Sequence, residues 1–382
     1  MKQISAFLLM AAVACGNIIT RMEPGEMTDS SDLANGKIRG CYLTNWAQYR
    51  PQPGKWTMDK YEAGVCTHIF YAFAKADAQG NVAPTEPNDL TTGYKSLQAL
   101  KQKDRGLKTI LSFGGATFAG FPALVASDAS RRGFARKLVD FAKHHGFDGV
   151  DIDWEFPSGA QKHGFTELIK AVKAAAGHGF LVTAALSPNA EHAEQIYEFA
   201  ALKDALDLVT VMAYDFHGSW DKVTGHNAPL KGEGKFTVDY LTQFYKKHFP
   251  ANKIVLGIPT YGRGWTLASG NPNQGPGSHA PSPSPAFPAT RTAGIAAYYE
   301  VCQLARKGGK VSFDNKAEVP YVQQGNHWYS YDDGKSVGLK AHYARENGLA
   351  GVFVWTLDFD DFENVCNKGK FELLKTIKNV LG

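Results

Sequence analysis

Short runs rich in β-branched and aromatic residues recur along the chain at 37–44, 67–74, 107–113, 146–153, 180–186, 207–214, 253–260 and 348–355. Such runs, bounded by Gly, Pro, Asn and Asp, read as strands. Between many of them apolar residues return at three- and four-residue spacing, as in 130–146 and 164–177, the period of an amphipathic helix. Eight strands alternating with helices is the number that closes a (β/α)8 TIM barrel of the α/β class, here spanning residues 37–382.

The rhythm breaks once. From about Leu267 to Val337, between the seventh and eighth strands, the chain passes through the Pro-rich SGNPNQGPGSHAPSPSPAFPATR, a helical patch IAAYYEVCQLARKG and the strand-like VPYVQQGNHWYSYDD. The Pro-rich part reads as an exposed loop. The remainder predicts a small α+β domain inserted between strands 7 and 8 over 267–337, at the end of the barrel where active sites lie and where it could wall a cleft.

Composition then narrows the setting. A chain of 382 residues, 44% hydrophobic and 20% charged, can bury a sizeable core. Forty-one basic against thirty-seven acidic residues leave +4, with no Lys/Arg run that would mark a nucleic-acid partner. The N-terminus MKQISAFLLMAAVACGN has one Lys, an apolar run and then small residues. It reads as a secretory signal over 1–21, with a buried helix as the alternative, followed by a flexible lead-in at 22–36. No second apolar run reaches the roughly 20 residues of a membrane span. A secreted, extracellular protein with no membrane association after cleavage is the expectation.

Five cysteines accompany that reading. Cys15 falls in the expected signal, and Cys41, Cys66, Cys302 and Cys366 form an even set that can pair in three ways or remain as buried thiols. Their sequence neighbourhood favours Cys41 with Cys66 and Cys302 with Cys366. No Cys-x-x-Cys or His-rich spacing points to a metal.

The candidate chemistry lies in FDGVDIDWEFP, residues 147–157. Alternation on a strand sends Asp151, Asp153 and Glu155 to one face and Val150, Ile152 and Trp154 to the other. With the apolar face against the helices, the carboxylates rise as a column inside the barrel and Glu155 is nearest the mouth. Unpartnered buried charge costs several kcal/mol, so the column calls for a catalytic role, a hydrogen-bonded core network or a divalent cation. Asp148 has the opposite parity and reads as structural, at the strand entrance.

These residues carry a resemblance. DGVDIDWE is similar to the D-x-x-D-x-D-x-E signature of family 18 glycoside hydrolases, the chitinases and their relatives. CYLTNWAQYR, SFGG, MAYDFHGSW, YGRGW and VWTLDFDDF resemble that family's first, third, sixth, seventh and eighth strand motifs in order. The resemblance covers about 37–382 and implies the inserted α+β domain, the two cysteine pairings just given, and hydrolysis of chitin or chitooligosaccharides with no cofactor and no metal, by a protein expected to be a monomer. It implies Glu155 as general acid, Asp153 as acceptor of the substrate's acetamido N–H, Asp151 sharing a proton with Asp153, and Tyr214 as donor to the acetamido carbonyl. Substrate contacts are implied for Trp46, Trp220, Trp355, Met212, Asp215, Tyr261 and Arg263.

Three departures bear on that expectation. Ala116 follows the Gly-Gly pair where many members have Trp, Pro87 stands where a second aromatic is common, and Phe353 replaces a frequent Met. With no Cys-rich module after Cys366, long or insoluble chitin is expected to be a poor substrate. A non-catalytic sugar-binding protein is the competing class, because folds outlive activities; the presence of Glu155, Asp153 and Tyr214 favours the enzyme. A metal-dependent phosphoryl-transfer site on the Asp-x-Asp lacks a phosphate-cradling Gly loop with Lys.

Overall fold

The computed structural model describes residues 36–268 and 274–382. The signal expected at 1–21 and the lead-in, up to residue 35, lie outside the described residues. The principal strands are β1 Ile38–Thr44, β2 His68–Ala76, β3 Lys108–Gly114, β4 Gly149–Asp153, β5 Leu181–Leu186, β6 Leu208–Val211, β7 Ile254–Pro259, β8 Tyr261–Thr266, β9 Lys310–Asp314, β10 Val319–Gln324, β11 His327–Ser330 and β12 Gly351–Trp355. Strands β1 to β7 pair in parallel in chain order, β12 joins β7 to β1, and the β1–β2 pairing closes the ring. This is a (β/α)8 barrel.

The strand sequences explain the closure. Parallel strands covered by helices outside and side chains inside are buried on both faces, so they are apolar almost throughout, as the fully buried Ile69, Phe70, Ile110, Leu111, Val150 and Ile152 show. The helix Asp128–His144 begins where the Ser127 side chain accepts the Ser130 N–H, and it buries Phe134, Ala135, Leu138, Val139 and Ala142 against the barrel. Burial of each of Phe134, Leu138 and Val139 stabilises by about 1.5–3 kcal/mol.

The second sheet is antiparallel, in the order Ser282–Pro283, β8, β11, β10, β9, with Ile295–Ala297 also on β8. It has a small core of its own in Trp265, Leu267, Ala280 and Trp328. The inserted layer takes in Tyr261–Thr266, ahead of residue 267, because β8 leaves the barrel to pair with β11. After β11 the helix Gly334–Glu346 packs back on β7 and β12 as a barrel helix. Disulfides join Cys41 to Cys66 and Cys302 to Cys366, each removing unfolded-chain freedom on the order of 3–4 kcal/mol. Among the described residues no helix is long and apolar enough to cross a membrane.

Candidate active site

Strand β4 sets the geometry. Val150 and Ile152 are fully buried on the helix side, and Trp154 stacks on Phe121 at 4.7 Å. The opposite parity puts Asp151 and Asp153 inside the barrel, 0% and 2% exposed, and leaves Glu155 just beyond the strand end, open to the mouth. Asp148 stays apart, accepting the Thr109 N–H at 2.7 Å and pairing with Lys101 at 2.6 Å, a tie between neighbouring strands at the barrel's base.

The three carboxylates have different surroundings. Asp151 lies in register with Ser112 on β3 and Thr183 on β5. Its Oδ2 accepts from the Tyr42 hydroxyl at 2.8 Å and Ser112 at 2.7 Å, and its Oδ1 from Thr183 at 2.7 Å. Burial pushes its pKa up and those three donors pull it down. Asp151 therefore sits in the kind of hydrogen-bonded core network weighed for the column. Both its oxygens are occupied by hydroxyls.

Asp153 is the opposite case. Its Oδ1 is buried without a hydrogen-bond partner, and desolvation, then the charges of Glu155 and Asp151, drive its pKa well above the carboxylate range. Glu155 is open to solvent, but its surroundings still strip enough hydration, with the Asp215 charge adding, to push its pKa up to about 7.

The motif after β6 departs from the strand expected at 207–214. The ladder stops at Val211, and two successive tight turns, Ala213 N–H to Val211 O and Tyr214 N–H to Met212 O, both 2.8 Å, fold the chain inward. Asp215 follows in the left-handed region at φ +60. Tyr214 is buried, its hydroxyl without a hydrogen-bond partner among the described residues, and burial first, then Tyr261 and Glu155, raise its pKa. Met212 is buried below it. Asp215 Oδ1 accepts from the Tyr261 hydroxyl at 2.6 Å and Arg263 Nε at 2.7 Å, while Arg263 Nη2 reaches Oδ2 at 2.7 Å. This two-point clamp is the strong form of an Arg–carboxylate pair. The Arg263 guanidinium also lies 4.9 Å from the centre of the exposed Trp220 ring.

A cleft of about 400 Å³ opens beside this clamp, lined by Trp46, Tyr49, Trp355, Tyr261 and, from the inserted domain, Thr290 and Arg291. Trp46 and Trp355 do not touch directly: Phe73 stacks between them, 6.0 Å from each. The glycines of SFGG permit this packing. A Cβ on Gly114 would sit 2.4 Å from the Asp153 carbonyl oxygen, and one on Gly115 would sit 2.6 Å from the Phe73 ring, with both residues at positive φ. Tyr49 on the cleft and the buried Phe73 behind it are aromatics that the motif reading passed over, although Tyr49 lies in CYLTNWAQYR and Phe73 in the second strand run. Asn227, fully buried behind Asp215, is a third omission, and no local pattern marks it.

Comparison with known proteins agrees with this fold. The family model described as glycosyl hydrolases family 18 matches residues 38–360. A probable endochitinase of Caenorhabditis elegans is 38% identical over 380 residues, covering 92% of this chain and 61% of that relative, so the chain spans less than two thirds of its length. Among solved structures, the immunomodulatory active chitinase TsES1 of Trichuris suis superposes with a TM-score of 0.88 at 37% identity, covering 91% of this chain and 100% of that one. Human YKL-39, described as a pseudo-chitinase with retained chitooligosaccharide binding properties, superposes at 0.86 and 34% identity, covering 90% and 99%. With a family match over most of its length, a closed barrel and the acidic column in place, this chain belongs to glycosyl hydrolases family 18.

Proposed function

We propose that the protein is a secreted, retaining chitinase that cleaves β-1,4 bonds between N-acetylglucosamine units, using the substrate's own 2-acetamido oxygen as nucleophile. The observation that carries this is the pairing of a proton-holding Glu155 at the mouth with a buried, unpaired Asp153 oxygen directly beneath it. A carboxyl with a pKa near neutrality is suited to protonating a leaving oxygen. An orphaned buried acceptor is costly unless something supplies a donor, and the acetamido N–H of a bound sugar is a donor of the right kind.

The steps follow from those two groups. Glu155 gives its proton to the glycosidic oxygen as that bond breaks, while the acetamido oxygen closes on the anomeric carbon to form an oxazolinium ion. Asp153 accepts the N–H and passes its own proton down to Asp151, so that its negative charge faces the positive charge that develops. The Tyr214 hydroxyl donates to the acetamido carbonyl and holds it close to the carbon it attacks, the kind of positioning that lowers a barrier by several kcal/mol. Water then attacks the anomeric carbon from the face that the leaving group vacated, breaking the carbon–oxygen bond of the oxazolinium and giving a proton to Glu155, so the product keeps the β configuration. Asp151 anchors the base of the column through its three hydroxyl bonds. Trp355, Trp46 and Trp220 offer apolar ring faces to pyranose C–H surfaces, with Tyr261, Arg263, Asp215 and Met212 completing the wall. The disulfides fit an oxidising compartment.

The likeness to YKL-39 supports a second reading, a chitooligosaccharide-binding protein without turnover. Matched substrates separate the two. Fully acetylated chitotetraose to chitohexaose is expected to be hydrolysed, and fully deacetylated oligomers of the same length are expected to resist. Turnover of the deacetylated set would overturn the substrate-assisted step, while binding of the acetylated set without cleavage would favour the second reading.

A further inference from the structure

We propose that Asn227 is a positioning residue that holds the Asp215 carboxylate at its station beside Glu155 and thereby sets the upper pH limit of the acid. The proposal rests on the reading of Glu155 as general acid and extends it to a residue outside every motif.

Asp215 needs such a hold. Asp215 stands in the left-handed region at φ +60, an uncommon conformation that Asp adopts more readily than most residues but that still benefits from a fixed partner for its N–H. The Asn227 Oδ1 accepts the Asp215 N–H at 2.9 Å, and the Asn227 Nδ2 donates to the Tyr261 carbonyl at 3.3 Å. Its main chain completes the frame: its carbonyl accepts the Phe216 N–H at 3.0 Å, and its own N–H donates to Ser330 Oγ at 2.9 Å. Asn227 is 0% exposed, so water cannot stand in for any of these. The amide is the group required: one end must accept from Asp215 while the other donates to Tyr261, and neither a carboxylate nor an aliphatic side chain does both. The side chain of Asn227 thus ties the turn after β6, which carries Asp215, to β8, which carries the Tyr261 and Arg263 that clamp Asp215, and its main chain ties that turn through Ser330 to β11.

The consequence is electrostatic. Asp153 from β4, Tyr197, Tyr214 and Asp215 face Glu155, with Tyr261 and Arg263 behind Asp215. Asp215 is the neighbour whose charge adds to burial in raising Glu155, and that effect depends on how close the turn holds it.

The test compares Asn227→Leu with Ser330→Ala, which removes a bond to the Asn227 main chain and leaves the amide untouched. For Asn227→Leu on chitooligosaccharides the expected result is a fall in kcat of roughly ten- to a hundredfold, a smaller change in KM, and a basic limb moved to lower pH by about half a unit or more. Ser330→Ala is expected to lower Tm with the limb unmoved. Should Asn227→Leu not fold, Asn227→Ala carries the same expectation. An unmoved limb in the Asn227 variant, or equal movement in both variants, overturns the proposal. Carboxyl 13C titration of Glu155 in the free proteins, assigned with Glu155→Gln, gives the same comparison without turnover. A lowered Glu155 pKa in an inert parent's Asn227 variant upholds this inference while the chitinase reading fails; an active parent with no shift does the reverse.

Discussion

Glu155→Gln is expected to hydrolyse chitooligosaccharides about 10²–10⁴-fold more slowly than the parent, the usual contribution of a positioned acid, while still binding them. Glutamine fills the same space at the mouth but has no transferable proton, so the defect should fall on kcat, with KM or a directly measured Kd changed little. The same residue fixes the pH dependence. Because the acid must be protonated and its pKa is raised to about 7, activity in the parent should hold below that value and decline as pH rises through it. A parent limb near pH 4 to 5, the ordinary range of a Glu carboxyl, would mean that the walls of the cleft do not act on Glu155 as described.

Asp153→Asn is expected to lose roughly 10²–10³-fold in kcat, because the amide keeps the shape but cannot shed a proton to Asp151 and so supplies no negative charge to the developing oxazolinium. Stability should move the other way. Asp153 has its folded pKa well above its unfolded value through burial and the charges of Glu155 and Asp151. A carboxyl raised in this way has its stabilising share in full only below the unfolded value of about 4 and loses it as pH rises towards the folded one. The neutral isostere escapes that loss. The Tm of Asp153→Asn should exceed the parent's at pH 7 by more than it does at pH 4, measured by calorimetry on both proteins. Unchanged turnover, or a Tm difference that is flat with pH, would remove Asp153 from the chemistry or from its strained setting. An active site that costs stability while serving the reaction is a common compromise.

Much of this was legible because period and charge conflicted in one place. Strands buried on both faces announce themselves as apolar runs, so the barrel could be read from eight such runs, and acids at every second position of one of them stood out as a column. Other parts had no local signature. The donors that satisfy Asp151 come from β1, β3 and β5, and Tyr42, Ser112 and Thr183 are ordinary strand residues until closure brings them together. Phe73 reads as core in THIFYAFA, and only the ring-on-ring row from Trp46 to Trp355 shows that it joins those two rings. The sixth motif was read as strand because MAY continues an apolar run, yet the turns at Ala213 and Tyr214 end the ladder and aim the chain at the cleft. Nothing in the residues signals the cis peptide bonds at Ala72–Phe73, Glu155–Phe156 and Trp355–Thr356. The Asp215–Asn227–Tyr261 ties join segments far apart in the chain through an insertion, which is where local pattern carries least.

The most direct measurement follows the anomer of the first products by proton NMR as the parent protein and Glu155→Gln act on chitohexaose. Fresh β-anomer from the parent, with the variant slower by orders of magnitude, is the result expected of a retaining site in which Glu155 supplies the proton. Fresh α-anomer, or a variant that cleaves as fast as the parent, would contradict it.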